Sequence, residues 1–305
     1  MSEFDSPEIW RLVLESLPTG VYVVDRNRRI LFWNSGAEST CGYLRQDVVG
    51  RFLREHLFTT SDEAETEDGE GFDPLNLVLR DGKSSVAHVS ILHKEGYRVP
   101  VVLKTVPIRS PGGNIIGAAE CFEPHVSSPE RTRRRNAISG LVCLDEVTGL
   151  PSKSSMEAYL RERLALFAER RAEFGILLIE IDRLEELRAA RGPSVVPSVL
   201  RVASHTVENS LKPTDVVGAW SDNLFLAVLT ECKEADLEKV ANRVRKMISL
   251  SEVEWWGDRF SLTAALGGAG CGPKDTLELL VERAYKSLED STALGGNRVT
   301  VGKEY

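Results

Sequence analysis

Cysteine is scarce and without pattern in this chain. The five residues Cys41, Cys121, Cys143, Cys232 and Cys271 are odd in number, widely spaced and contain no Cys-x-x-Cys. That excludes a disulfide framework or a paired-thiol zinc site and fits reduced thiols in a cytoplasmic protein. Basic charge is also in deficit. A net charge of −8 argues against general nucleic-acid binding, which rests on a basic excess, so no DNA partner is expected. Long apolar runs are missing too. None approaches the ~18 residues that would span a bilayer, so no membrane insertion is expected. The longest, Phe174 to Ile179, ends at Glu180 and reads as a buried strand. The opening Met-Ser-Glu-Phe-Asp lacks the basic stretch of a secretory signal.

What remains is a chain of 305 residues, 42% hydrophobic and 28% charged, enough for two ordinary globular domains. Its acid is unevenly spread. Asp62, Glu63, Glu65, Glu67, Asp68, Glu70 and Asp73 crowd one stretch, most simply a solvated loop. Arg131, Arg133, Arg134 and Arg135 form the opposite patch, either the exposed face of a linker helix or a site for an anion.

In the first half, Ile9, Leu12, Val13 and Leu17 recur at helical spacing, and Pro18-Thr19-Gly20 breaks the helix. Strands are expected at 21–24 and 30–33, with short helices to about 58 and another over 74–79. A three-strand meander follows over 84–93, 98–108 and 115–122, turning at Lys94-Glu95-Gly96 and Ser110-Pro111-Gly112-Gly113. The expectation is an α+β domain, one antiparallel sheet with helices on one face. Trp10, Phe32, Trp33 and Phe72 are expected in its core.

The run Glu15 to Asp25, with Asn34, Glu38 and Gly42-Tyr43 after it, resembles a PAS sensor domain over residues 8–123. The family's closing motif is replaced by Cys121-Phe122-Glu123. The resemblance implies sensing or dimerisation. The Asn-Cys-Arg motif of flavin-binding members is absent, and His56, His88 and His93 carry no haem-specific motif. No cofactor is expected, and the ligand of this domain is not named by its sequence. Residues 124–144 read as a helical linker with a stripe of Ile138, Leu141 and Leu144. That stripe either packs on its own domain or pairs with a second chain.

From Asp145 strands alternate with helices: helices over 154–171, 183–190, 196–210, 235–248 and 275–290, strands over 175–181 and 259–266. Asp215 to Ala219 and Leu226 to Leu229 flank a tight turn. The expectation is a sheet surrounded by helices. Asp145-Glu146-Val147-Thr148-Gly149-Leu150-Pro151, Ala284-Tyr285-Lys286-Ser287-Leu288 and Gly295-Gly296-Asn297-Arg298-Val299 resemble the opening motif, closing helix and last strand of GGDEF diguanylate cyclases, over residues 145–303.

Active members join two GTP molecules into cyclic di-GMP across a homodimer, using divalent metal held by carboxylates and cations on the phosphates. The resemblance places the family signature on Ser221-Asp222-Asn223-Leu224-Phe225. Ser221 and Asp222 replace the two glycines that approach the triphosphate, Asn223 an acid, and Leu224 a metal carboxylate. At ~4 Å, Asp222 would repel a phosphate by about 4 kcal/mol in a partly screened site. The other metal carboxylate falls at Glu180, followed by Asp182; the simpler reading is two polar residues closing a strand. The guanine contacts fall at Arg188 and Pro197, and the phosphate lysines at Glu185 and Thr292. The inhibitory Arg-x-x-Asp falls on Lys212-Pro213-Thr214-Asp215, where lysine cannot supply arginine's bidentate contact.

The expectation is therefore a catalytically inactive PAS–GGDEF signalling protein, neither enzyme nor metal-binding. It would be a cytoplasmic homodimer acting through an unidentified protein partner, with small-molecule sensing by the PAS domain left open. Two alternatives stand beside it: an active cyclase using Glu180, Asp182 and Asp222, or a nucleotide or cyclic di-GMP receptor using Lys212 and the arginine cluster.

Overall fold

The structure is a computed structural model and describes residues 6–52, 58–60, 73–124 and 143–302. The acidic run from Asp62 to Glu70, the Arg131–Arg135 patch, most of the helical linker, His56 and Phe72 lie outside the described residues. The elements divide into two units.

The first unit begins with α1 (Pro7–Ser16), whose N-terminus is capped by the Ser6 side chain. The hairpin of β1 (Gly20–Asp25) and β2 (Ile30–Trp33) leads into α2 (Ser35–Cys41) and α3 (Arg45–Val48). Then come β3 (Phe58–Thr60), α4 (Pro74–Asp81), β4 (Ser85–Leu92), β5 (Arg98–Arg109) and β6 (Ile115–Pro124). One six-stranded sheet results, in the order β2-β1-β6-β5-β4-β3. The α+β expectation holds, with one strand more than expected. β3 is three residues long, too short to leave a periodic pattern. Trp33 is fully buried, but Trp10 is 60% exposed and corrects the expectation of a core residue. Its helix buries none of its ten residues.

Asn34 ties this unit together. Its Oδ1 accepts from the Val21 and Ala37 amides at 2.8 and 2.9 Å, the second of these capping α2. Its Nδ2 donates to the Leu14 and Thr19 carbonyls at 2.9 Å each. One fully buried amide thus joins α1, β1 and α2.

The second unit contains α5 (Lys153–Arg170), β7 (Phe174–Ile181), α6 (Leu184–Arg191), α7 (Val195–Ser210), β8 (Val216–Ser221) and β9 (Leu224–Thr230). It continues with α8 (Glu234–Ser249), β10 (Glu252–Trp255), β11 (Asp258–Ser261), β12 (Ala264–Gly270), α9 (Leu277–Ala293) and β13 (Val299–Gly302). The main sheet runs β13-β12-β7-β9-β8, with β12 and β13 parallel and the other pairs antiparallel. Alternation sorts β7 between two cores. Leu177, Ile179 and Ile181 pack with α6, α7 and α8, while Ile176 and Leu178 pack with α5 and α9. Gly267 lets α9 lie directly on β12, since a Cβ there would stand 2.2 Å from the Leu288 amide nitrogen.

The single strand expected over 259–266 is corrected. Residues 258–261 pair with β10 in a separate hairpin, and β12 starts afresh at Ala264. The hairpin turns on Trp256-Gly257, with φ of 51° and 86°. Two left-handed residues make the tight turn that matches strand twist, but Trp is not a residue that announces one.

Removing the Asn34 amide would strand several buried backbone groups, at roughly 1–3 kcal/mol each when unsatisfied. Asn34→Ala is expected to destabilise the first unit by about 3 kcal/mol or more. Denaturant unfolding of the whole chain, followed by fluorescence of buried Trp33, checks this.

Candidate functional site

The site lies where β7 ends. Register places Glu180 of β7 opposite Leu224 of β9, and Ser221 of β8 pairs with Leu224. Only Asp222 and Asn223 remain for the turn, so Trp220, Ser221, Leu224 and Phe225 belong to the strands rather than to the loop. Neither turn residue has a positive φ. The turn therefore needs no glycine.

Its base is clamped from below. Gly218 leaves space for the Met156 side chain and the Pro151 carbonyl, which a Cβ would meet at 2.3 and 2.6 Å. The Ala219 amide donates to that carbonyl at 2.9 Å. The segment before Pro151 is shaped by Asp145, whose Oδ1 accepts from the Thr148 amide and hydroxyl at 2.8 and 2.7 Å. The register slips at Trp220. Its indole donates to the Tyr285 hydroxyl at 3.0 Å, and the Lys153 ammonium stands 5.2 Å from its ring.

Glu180 is where the structure brings candidates together. Asn223 Nδ2 donates to its Oε1 at 2.9 Å, and Thr292 Oγ1 approaches its Oε2 at 3.4 Å. Thr292 also donates to Leu288 within α9, at 3.0 Å. Leu224, beside them, is 5% exposed and packs into the α5–α9 core with Trp220 and Leu226. Phe225 faces the opposite core. Asp182 does not join Glu180. Its Oδ2 accepts from the Asn297 amide at 2.8 Å, and Asn297 is held in turn by Arg245 at 2.9 Å. Asp222 is exposed at the tip.

The remaining candidates stand apart. Glu185 and Arg188 are exposed on α6 and pair with each other at 3.4 Å. Pro197 is half-buried in the first turn of α7, where a missing N–H is tolerated. Asp215 is 4% exposed and fully engaged: Oδ2 accepts from the Lys212 amide at 2.9 Å and Oδ1 from the Thr230 amide at 3.1 Å. Lys212 itself is exposed. Among the described residues no three His, Cys, Asp or Glu side chains gather as metal ligands would.

In sequence Asn223 and Thr292 are unrelated positions; the fold brings both donors within reach of Glu180. The available signal was their chemistry, an amide and a hydroxyl set around one acid. The Trp220–Tyr285 and Asp182–Asn297 bonds left no signal, because each joins residues far apart in sequence.

Comparison with known proteins agrees with this architecture. A family model described as diguanylate cyclase, GGDEF domain, matches residues 142–298, and one described as PAS fold matches residues 8–121. "Probable diguanylate cyclase DgcE" of Escherichia coli (strain K12) is 22% identical over 87% of this chain and 23% of its own length. Diguanylate cyclase DosC of the same organism is 23% identical over 53% of this chain and 35% of its own. Response regulator PleD of Caulobacter vibrioides is 27% identical over 53% and 36%. The chain thus spans well under half the length of these relatives. Among solved structures, diguanylate cyclase SiaD in complex with its activator SiaC from Pseudomonas aeruginosa superposes with a TM-score of 0.53. That match has 23% identity and covers 57% of this chain and 67% of the other. The coiled coil and GGDEF domain of DgcB from Caulobacter crescentus gives 0.51 at 18% identity, over 57% and 95%. At these identities the structures share the fold alone.

The engagement of Asp215 gives a direct test. Asp215→Ala is expected to destabilise the second unit by about 2–3 kcal/mol, because a buried carboxylate satisfying two backbone amides is lost. Lys212→Ala, an exposed side chain, should stay within about 0.5 kcal/mol of the parent in the same denaturation measurement.

Proposed function

We propose that this chain, which belongs to the GGDEF domain family and carries a PAS domain before that domain, is a cyclic di-GMP signalling protein that does not itself make cyclic di-GMP. The observation that carries this is the state of Glu180. Asn223 donates to one of its oxygens, the Thr292 hydroxyl stands 3.4 Å from the other, and its register partner is a leucine in an apolar core. Magnesium requires near-octahedral oxygen ligands, usually from one or two carboxylates plus phosphates. One carboxylate already hydrogen-bonded, with an alkyl side chain opposite, does not fit that donor set. Asp222 adds a negative charge where phosphates would have to approach.

With metal, phosphate and base contacts all changed, the role that suits the domain is protein interaction. SiaD, of similar fold, was solved with its activator, a precedent for a protein partner on such a domain. The working picture is a homodimer in the cytoplasm, with the PAS domain sensing or dimerising and the GGDEF domain engaging a signalling protein. Neither DNA binding nor membrane insertion is part of it, and no described helix is long and apolar enough to cross a membrane.

Relatives of this chain are named as diguanylate cyclases, and one experiment separates the cyclase reading from the one proposed. The whole chain is incubated with GTP and either magnesium or manganese, and the products are separated by chromatography. No cyclic di-GMP is expected, and calorimetry should show no heat with GTP or cyclic di-GMP at submillimolar concentration. Product formation that disappears in Glu180→Ala would overturn the proposal in favour of the cyclase. Tight nucleotide binding without turnover would overturn it in favour of a receptor.

A further inference from the structure

A second carboxylate lies in the first unit, at mid-strand rather than at a strand end. Glu120 of β6 is 1% exposed. Its register partners are Tyr22 on β1 and Thr105 on β5, and Tyr22 is in turn opposite Trp33 on β2. The four side chains form one row across four adjacent strands. The Tyr22 hydroxyl donates to Glu120 Oε2, and the Thr105 hydroxyl donates to Oε1 at 2.5 Å. The rings of Tyr22, Trp33 and Phe122 close the space beside it, with centroids 5.4 to 6.4 Å apart.

No cation offsets this acid among the described residues. α2 and α4 pack against β6, and the residues they bury are Gly36, Ala37 and Cys41, and Pro74, Leu75 and Val78. The ionisable groups on these inner faces are the Tyr22 phenol and the Cys41 thiol, and burial pushes that thiol up to about 12. Lys104 and Cys121 alternate to the other face of the sheet. A lone buried carboxylate is expensive as an anion, and a buried acid without structural need of its charge is a candidate for function.

We propose that the first domain is a proton sensor whose sensing group is Glu120, one proton being exchanged with bulk water at a carboxyl that bridges β1 and β5. In the anion both hydroxyls donate inward, as the two contacts stand. In the acid the carboxyl O–H must itself donate, so Tyr22 or Thr105 turns its own hydrogen elsewhere. One proton therefore reverses a hydrogen bond at the centre of the sheet. The responding strand, β6, ends at Pro124, where the chain continues toward the second domain.

Burial alone pushes the Glu120 carboxyl up to about 8, from an ordinary 4.5. The folded state then holds a proton that the unfolded state releases, so stability is greatest below about pH 4.5. It falls through the interval and levels off above about 8. The folded-to-unfolded ratio should drop roughly tenfold per pH unit within that window.

The test is a pH titration of the whole chain, read by the infrared carbonyl stretch of a protonated carboxyl and by the stability of the first unit. A buried-acid band should vanish with rising pH in the parent and be absent from Glu120→Gln, which should also lose the pH dependence of stability. Tyr22→Phe and Thr105→Val each remove a donor to the anion, so their midpoints should move to higher pH. These two variants decide the matter if Glu120→Gln fails to fold. No titrating band, the same pH dependence in Glu120→Gln, or unmoved midpoints in both hydroxyl variants would overturn the proposal.

Discussion

A strand buried on both faces can carry a polar side chain only near its end, and β7 is such a strand. From Phe174 to Ile179 every residue is buried, with successive side chains committed to opposite cores. Helices α6 to α8 cover one face, and α5 and α9 the other. Glu180 is the first position at which the strand can meet water. That position also sets what lies beside it. Antiparallel pairing with β9 brings the β8–β9 turn to Glu180, and packing of α9 on β12 brings Thr292 there. The location of any chemistry in this unit follows from the burial of β7.

The two structurally prominent glutamates show how position decides the behaviour of a carboxylate. Glu180 stands half-buried at a strand end, where a side-chain amide and a hydroxyl from other elements meet it. Glu120 stands in the middle of a strand, with two hydroxyls and three aromatic rings around it, and burial governs its protonation. Both meet uncharged side-chain donors. What separates them is depth of burial, and it is burial that raises the pKa of Glu120.

Much of the fold was legible because apolar periodicity is a statement about burial. The strand at 174–181, the helices over 153–170 and 195–210, and the meander from 85 to 124 all announce themselves. Short or shifted elements did not. β3 has three residues, and the β10–β11 hairpin hides behind a Trp256-Gly257 turn that lacks the usual Asn or Asp. Trp10 failed differently: its size suggested a core residue, but no described element covers it. In the site, single positions were legible and pairings were not. A sequence shows that Asn223 and Thr292 differ from an acid and a lysine. It takes the register of β7 with β9, and the seating of α9, to show that both turn toward one carboxylate.

On the proposed reading, the distribution of the candidates is what would let such a fold persist while its chemistry changed. Glu180 belongs to β7, the signature to β8 and β9, Glu185 and Arg188 to α6, Pro197 to α7 and Thr292 to α9. Apart from Leu224 and Phe225, these side chains lie at element ends or on exposed faces, outside the two cores that hold the sheet. Replacing them therefore removes little packing. The exception is Leu224, whose apolar side chain packs into the α5–α9 core. Changes spread over six elements also resist local reversal. On that reading, restoring the turn alone would leave Pro197 without a guanine acceptor, Glu185 with the wrong charge and Thr292 where a lysine would be needed. On the proposed reading, the protein keeps the sheet, the helices and their outer surfaces, which are what a protein partner would recognise.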